Sequence, residues 1–283
     1  MLKLNQVILI IGLVIVFDVF IWWQIIFFGP SQNTELYFLD IGQGDSELVI
    51  LPGGVKVLID GGPDNKVLGQ LGSVFRSTDR YIDLVVMSHP QTDHFNGLID
   101  ILRRYKVGAF ISSGKSGKAQ SFGELQKAIR DNKVPAIVLG EGDKIQYGDN
   151  RFDILSPSAN LLESAEPNDW ALVMKLISQG ANALFTADID SKIEKDLVQK
   201  YDMAIDILKV AHHGSKFSSS DEFLKVATPK VALIEVGEKN TYGHPTPQAL
   251  QRLLAVGAQI LRTDLDGTIK LLVSSSTINV FKR

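Results

Sequence analysis

Leu84-Val85-Val86-Met87-Ser88-His89-Pro90-Gln91-Thr92-Asp93-His94 runs a short apolar stretch straight into a loop with two histidines and an aspartate. The apolar part reads as a strand. Imidazole and carboxylate ligands crowded onto one loop suit zinc, manganese or iron. Taken alone, the same residues also fit a surface loop in which Thr92 or Asp93 starts the next helix.

The design repeats further along the chain. Val57-Leu58-Ile59-Asp60-Gly61-Gly62 and Leu184-Phe185-Thr186-Ala187-Asp188 are apolar runs that end on an acid. Lys209-Val210-Ala211-His212-His213-Gly214-Ser215 and Asn240-Thr241-Tyr242-Gly243-His244-Pro245 also leave strand-like segments, and with the first loop they hold all 5 histidines. Catalytic groups commonly sit on loops held by a rigid scaffold. One shared metal site explains five such loops better than five independent turns do. Strands are expected at Glu35–Ile41, Lys56–Ile59, Leu84–Met87, Ala171–Ile177, Ala183–Thr186, Ile207–Val210 and Val231–Glu235, among others. Helices are expected at Lys66–Arg76, Gly97–Tyr105, Phe122–Asn132, Ser191–Tyr201, Ser220–Ala227 and Pro247–Ala255, the last with proline in its first turn. Hairpins mix with strand–helix–strand units, so two mixed sheets with helices outside fit better than one wound parallel sheet.

The 283 residues are 45% hydrophobic and 22% charged, with 29 basic and 32 acidic side chains. Collagen-like, disordered and heptad-repeat classes fail on that composition. Cysteine is absent, which removes disulfide scaffolds, thiolate metal sites and thiol nucleophiles. A net charge of -3 opposes a protein that coats nucleic acid, without excluding a local basic groove. Val7 to Phe28 forms an apolar run with the single charge Asp18, long enough to cross a bilayer as a helix. Gly29-Pro30 and bulky aromatics replace the small-residue cleavage site of a signal peptide, so residues 1–30 are expected to be an uncleaved anchor. Trp22, Trp23, Phe27 and Phe28 suit an interfacial belt. Lys3 precedes the span and the next basic residue is Lys56, which places the N-terminus inside and residues 31–283, one domain, outside the cytoplasm. Asp18 would mark a contact with another membrane helix.

The order Asp60-Gly61, His89…Asp93-His94, Asp188, His213 resembles the metallo-β-lactamase fold superfamily. More narrowly, Leu39-Asp40-Ile41-Gly42-Gln43-Gly44-Asp45-Ser46, His212-His213-Gly214-Ser215-Lys216, Tyr242-Gly243-His244-Pro245 and Arg262-Thr263-Asp264 with Asp266-Gly267 are similar to the C-terminal hydrolase domain of the ComEC/Rec2 competence proteins. That resemblance implies an α/β fold, an αββα sandwich of two mixed sheets with outer helices. It implies His89, Asp93, His94, Asp188 and His213 as ligands of one or two divalent ions, zinc or manganese, with Asp188 bridging where two are present. Asp60 would orient the histidine loop from outside the ligand set, and Asp45 would lie near it. His213 is preferred to His212 as ligand because it directly precedes the glycine. His212, His244 and Asp93 are the expected catalytic side chains, the two histidines as phosphate contacts or general acids.

Three positions depart from the family. Gln91 stands where the competence proteins carry Asp, Asn168-Asp169-Trp170-Ala171 where a separate histidine is usual, and Thr186-Ala187-Asp188 where Thr-Gly-Asp is expected. A neutral amide is a poor ligand, so the half-site on His89 is expected to be depleted and its ion weaker. The implied function is attack of water on the phosphorus of DNA during competence-type uptake, with a separate channel protein as partner because a single anchor stands in place of the family's multi-helix channel. Lys216, Arg262 and Arg103-Arg104-Tyr105-Lys106 could contact phosphate or form a solvated helix or loop face, and the Arg103 to Lys106 run fits the solvated face better. Two other readings remain: a hydrolase of a small ester or lactam, and a non-catalytic DNA-binding or channel-associated module with a partly decayed site.

Overall fold

A computed structural model of the chain describes residues 3–29, 31–275 and 277–282. Met1, Leu2 and Pro30 of the expected anchor fall outside the described residues, as do the side chains of Phe27 and Phe28. Helix α1 (Leu4–Phe28) contains a 20-residue segment, Leu4–Trp23, with mean hydropathy 2.5 and none of it buried. At about 1.5 Å per residue that segment matches the hydrocarbon thickness of a bilayer.

The remaining elements stack in four layers. The first sheet holds β1 (Thr34–Phe38), β2 (Glu47–Ile50), β3 (Lys56–Ile59), β4 (Tyr81–Val86), β5 (Lys106–Ser112) and β6 (Ala136–Val138), and later β14 (Ile269–Ser274) and β15 (Thr277–Lys282). Its order is β15-β14-β1-β2-β3-β4-β5-β6, antiparallel from β15 to β3 and parallel from β3 to β6. The second sheet holds β7 (Lys144–Tyr147), β8 (Asn150–Ser156), β9 (Val173–Ser178), β10 (Ala181–Phe185), β11 (Ile207–Lys209), β12 (Val231–Ile234) and β13 (Gln259–Arg262). It mirrors the first: β7 to β10 are antiparallel and β10 to β13 parallel.

Period-two alternation explains the layering. Val57 and Ile59 point between the sheets while Leu58 points outward, and Ala183 and Phe185 flank an outward Leu184 in the same way. Strands buried on both faces read as unbroken apolar runs, which is why they stand out in the sequence. The inner core closes on Phe38 and Phe185, ring centroids 6.3 Å apart. Helices α2 (Lys66–Val74), α3 (Thr92–Arg104) and α4 (Gln120–Asp131) cover the first sheet, with Leu71, Leu98 and Leu125 in the contact. Beyond the single turn α5 (Ala159–Leu162), helices α6 (Ser191–Lys200), α7 (Asp221–Ala227) and α8 (Pro247–Ala255) cover the second through Leu197, Leu224 and Leu253. A last turn, α9 (Thr263–Asp266), precedes β14. This is the αββα sandwich expected from the sequence.

The single turns α5 and α9 are not among the expected helices, and two larger elements also differ from expectation. β7 alternates Lys-Ile-Gln-Tyr with an exposed or half-exposed face, so no apolar run announces it. Helix α3 begins at Thr92, not Gly97, because Gly97 is a point of close approach inside the helix. A Cβ there would lie 1.9 Å from the Gly61 carbonyl oxygen. Gly97 N–H instead donates to Gly62 O at 3.0 Å, and Gly61 N–H to His94 O at 2.7 Å. The first turn of α3 is thereby held against the loop of Asp60.

Candidate metal centre

In both sheets the parallel strands end on the same side, and ligands bind outside the carboxyl ends of such strands. β3 delivers Asp60, β4 delivers Ser88 and His89, β10 delivers Asp188, β11 delivers His212 and His213, and β12 delivers Glu235. Asp93 and His94 come from the first turn of α3. Three of these residues, and Ala187 just before Asp188, are turned sharply at the strand end: Asp60, Ala187, His212 and His213 have φ of 55, 47, 52 and 53°. A left-handed conformation costs a non-glycine residue about 1–3 kcal/mol and persists where the surroundings over-determine it, commonly at functional sites.

Ligand-type atoms of Asp93, His94, Asp188 and His213 all lie within 4.8 Å of one another. His94 Nε2 is 3.4 Å and His213 Nε2 3.7 Å from Asp188 Oδ2, and His213 Nε2 is 3.8 Å from Asp93 Oδ2. The His89 ring packs 4.1 Å from that of His94. Each of the three buried rings is tethered by Nδ1. His94 Nδ1 donates to Asp60 Oδ2 at 2.8 Å, His213 Nδ1 to the Glu235 carbonyl at 2.9 Å, and His89 Nδ1 to Ser88 Oγ at 3.0 Å, which itself donates to Asp60 Oδ2 at 2.5 Å. All three Nε2 atoms and Asp188 Oδ1 are buried without a hydrogen-bond partner. Buried polar atoms are nearly always paired. Three Nε2 atoms without a hydrogen-bond partner, beside two carboxylates, fit a divalent cation, with outer partners on Nδ1 leaving Nε2 as the ligating atom.

Beneath the cluster lies a second, fully buried layer. Lys209 Nζ pairs with Asp45, and Asp45 Oδ1 faces His213 Nδ1 at 3.2 Å. Burial would raise the Asp45 carboxyl, but Lys209, His213 and His94 together hold it well below the usual range. Burial, reinforced by the neighbouring Asp45 charge and only partly offset by Lys209, lifts Glu235 to about 8. Glu47 is raised in the same way by burial and by Glu235. Burial and the adjacent His94 push His89 down to about 3, a neutral imidazole ready to ligate. His213 is held up to about 10, since Asp188 and Asp45 outweigh the burial that opposes its charge.

A cleft of about 690 Å³ opens over the cluster, lined by Asp93, Asp188, His213, His212, His244 and Gln91 among others. His212 Nε2 stands 3.8 Å from Asp188 Oδ2 with its side chain 35% exposed, whereas His213 is 3% exposed. His244 meets His212 edge-on, centroids 5.8 Å apart, and burial together with the neighbouring His212 lowers its pKa. Gln91 turns aside: its Nε2 donates to Asn168 Oδ1 at 2.7 Å. Of the phosphate-contact candidates, Arg262 is engaged with Asp264 at 3.0 and 2.5 Å and Arg103 with Glu124 at 3.3 Å. Neither lines the cleft, nor does Lys216, which sits over the Phe217 ring. Sequence reasoning missed the roles of Lys209, Glu47, Glu235 and Ser88. The available signal was a charged residue closing an apolar strand, as in Ile207-Leu208-Lys209 and Val231-Ala232-Leu233-Ile234-Glu235.

Comparison with known proteins gives a consistent result. The family model described as "Metallo-beta-lactamase superfamily" matches residues 39–237. ComE operon protein 3 of Bacillus subtilis is 30% identical over 266 residues, covering 85% of this chain and 33% of that protein. Competence protein ComA of Neisseria gonorrhoeae is 29% identical over 243 residues, covering 85% of this chain and 32% of its own length. The chain thus spans about a third of the curated relatives it matches. Among solved structures, the diiron β-hydroxylase CmlA from Streptomyces venezuelae aligns with a TM-score of 0.55 at 12% identity, over 90% of this chain and 55% of that one.

Proposed function

Because the chain belongs to the metallo-β-lactamase superfamily, we propose that it is a membrane-anchored, metal-dependent phosphodiesterase acting on DNA in competence-type uptake. The observation that carries this reading is the set of buried, unpaired Nε2 atoms of His89, His94 and His213 beside Asp93 and Asp188, in a chain similar to competence proteins. Residues 1–30 are the anchor, spanning at 7–28, and residues 31–283 the catalytic domain on the extracytoplasmic side. A separate channel protein is the partner that would bring DNA to it.

His94, His213, Asp93 and Asp188 would hold the tighter ion, zinc or manganese, and His89 with Asp188 a second. A divalent ion bound there supplies Lewis acidity and lowers the pKa of water toward neutrality. The protein does the rest. Asp60 and the Glu235 carbonyl hold His94 and His213 in the tautomer that turns Nε2 to the cleft. His212 and His244, at the open side, face the scissile phosphate and deliver a proton to the departing ester oxygen as water forms the new P–O bond. Burial, with the neighbouring His212, lowers the pKa of His244 and eases release of its proton. Gln91, bonded to Asn168, adds no charge to the second position, which favours one tight ion over two.

The test is cleavage of end-labelled DNA by the purified full chain in detergent, with manganese or zinc added after chelation, beside a chromogenic β-lactam and a small ester. Metal-restored DNA cleavage supports the reading. Turnover of only the lactam or ester assigns the cleft to a small molecule, and DNA binding without any turnover leaves a binding module.

A further inference from the structure

Resting on the phosphodiesterase reading, we propose that Tyr242 is a base-stacking platform, so that the cleft selects a nucleotide left unpaired beside the scissile phosphate. Tyr242 lines the cleft yet is 70% exposed. Its ring lies nearly parallel to that of His244, centroids 6.2 Å apart at 15°. The His244 ring stands 5.8 Å from His212, and His212 stands 6.2 Å from His213. A series of rings therefore leads from the open rim to the metal ligands, with Tyr242 outermost.

The loop that presents Tyr242 is held in place rather than loose. Asn240 Nδ2 donates to the carbonyls of Gly237 and His244 at 3.0 and 2.9 Å, and Asn240 Oδ1 accepts from His244 N–H at 3.1 Å. An exposed aromatic on a pre-formed turn spends little conformational entropy on binding. The same cleft is lined by the exposed ammonium groups of Lys66 and Lys118, which among the described residues make no ion pair. Lys66 also lines an adjoining polar cavity of about 570 Å³, where Lys239 adds a second ammonium beside the carboxylates of Asp40, Glu238 and Asp264. Cationic side chains along a groove with an aromatic ring for the bases is the arrangement that binds single strands without sequence preference. Inside a duplex both faces of a base are covered by its neighbours, and only an unpaired or frayed base can lie on the ring.

The experiment uses the full chain in detergent with manganese and three oligonucleotides: a single strand, the same strand abasic at the nucleotides flanking the cleavage point, and a blunt hairpin duplex. Stacking on one aromatic contributes about 1–3 kcal/mol per base. Tyr242→Ala is therefore expected to raise KM for the intact single strand by about 5- to 150-fold with kcat little changed. Tyr242→Phe should restore it, and the abasic strand should not respond to either change. Equal KM for wild type and Tyr242→Ala on the intact strand would overturn the proposal. An equal loss on the abasic strand would do the same. Fluorescence anisotropy of the labelled strands is read in parallel. If wild type cleaves no DNA, the phosphodiesterase reading fails, while a Tyr242-dependent preference for the intact strand in binding would still uphold the stacking role and its absence would end it.

Discussion

Replacing Lys209 by methionine removes the ammonium that faces Asp45 below the metal centre. Both side chains are at most 1% exposed, so no water can take the place of either. Methionine fills a similar volume, and the packing term is therefore small. What remains is a buried carboxylate beside Glu47 and Glu235, which already burden each other. Breaking one side of a buried ion pair costs about 3–5 kcal/mol. With a urea m-value of about 3 kcal/mol/M, the unfolding midpoint should fall by about 1–1.7 M. The buried Trp170 provides the fluorescence signal, read with manganese saturating. Removing both charges in Asp45→Asn with Lys209→Met should be less destabilising than the two single changes summed, with a coupling of at least about 1 kcal/mol. A Lys209→Met protein within about 0.5 kcal/mol of wild type, or additive single changes, would refute the support assigned to this pair.

Other outcomes follow from the same geometry. His94→Ala and Asp188→Ala should each lose the tight metal, measured by metal content after gel filtration; His212→Ala and His244→Ala should keep it and lower turnover by about 10²–10⁴-fold. Metal lost from His212→Ala but kept by His213→Ala would reverse the assignment of that pair. Gln91→Asp exchanges an amide bonded to Asn168 for a carboxylate, and should tighten binding of a second ion in a calorimetric titration. In the metal-free protein His213 is raised from 6.5 to about 10; its contribution to stability is fully present below pH 6.5 and is lost as pH rises through about 10. Metal uptake must displace that proton, so affinity should rise with pH over the same window, with proton release detectable by calorimetry in buffers of different ionisation enthalpy. For the anchor, external protease on cells with any outer membrane permeabilised should digest residues 31–283, and protection equal to a cytoplasmic control would place them inside.

Much of this architecture can be read locally. An apolar strand followed at once by His or Asp is a pattern within ten residues, and each such unit survived into the fold because the strand and its loop are continuous in sequence. Helix α3 was harder: glycine is disfavoured inside helices, and only the nearness of Gly61, distant in sequence, explains Gly97 as a packing residue within it. The buried layer of Lys209, Asp45, Glu47 and Glu235 was hidden for a related reason. A lone charge at a strand end reads as solvent-facing until the opposite sheet supplies its partner, 164 residues away for Lys209 and Asp45. Arg262 shows the converse, since its partner Asp264 is two positions along and the sequence alone could have removed it from the phosphate contacts.

Metal content and DNA cleavage, measured on the same preparations of wild type and Asp188→Ala, test the central claim most directly. The account predicts about one tightly held divalent ion per wild-type chain, cleavage that rises and falls with its occupancy, and the loss of both in Asp188→Ala. Cleavage of DNA by chelated, metal-free protein would contradict it, as would an Asp188→Ala chain that keeps full metal and full activity.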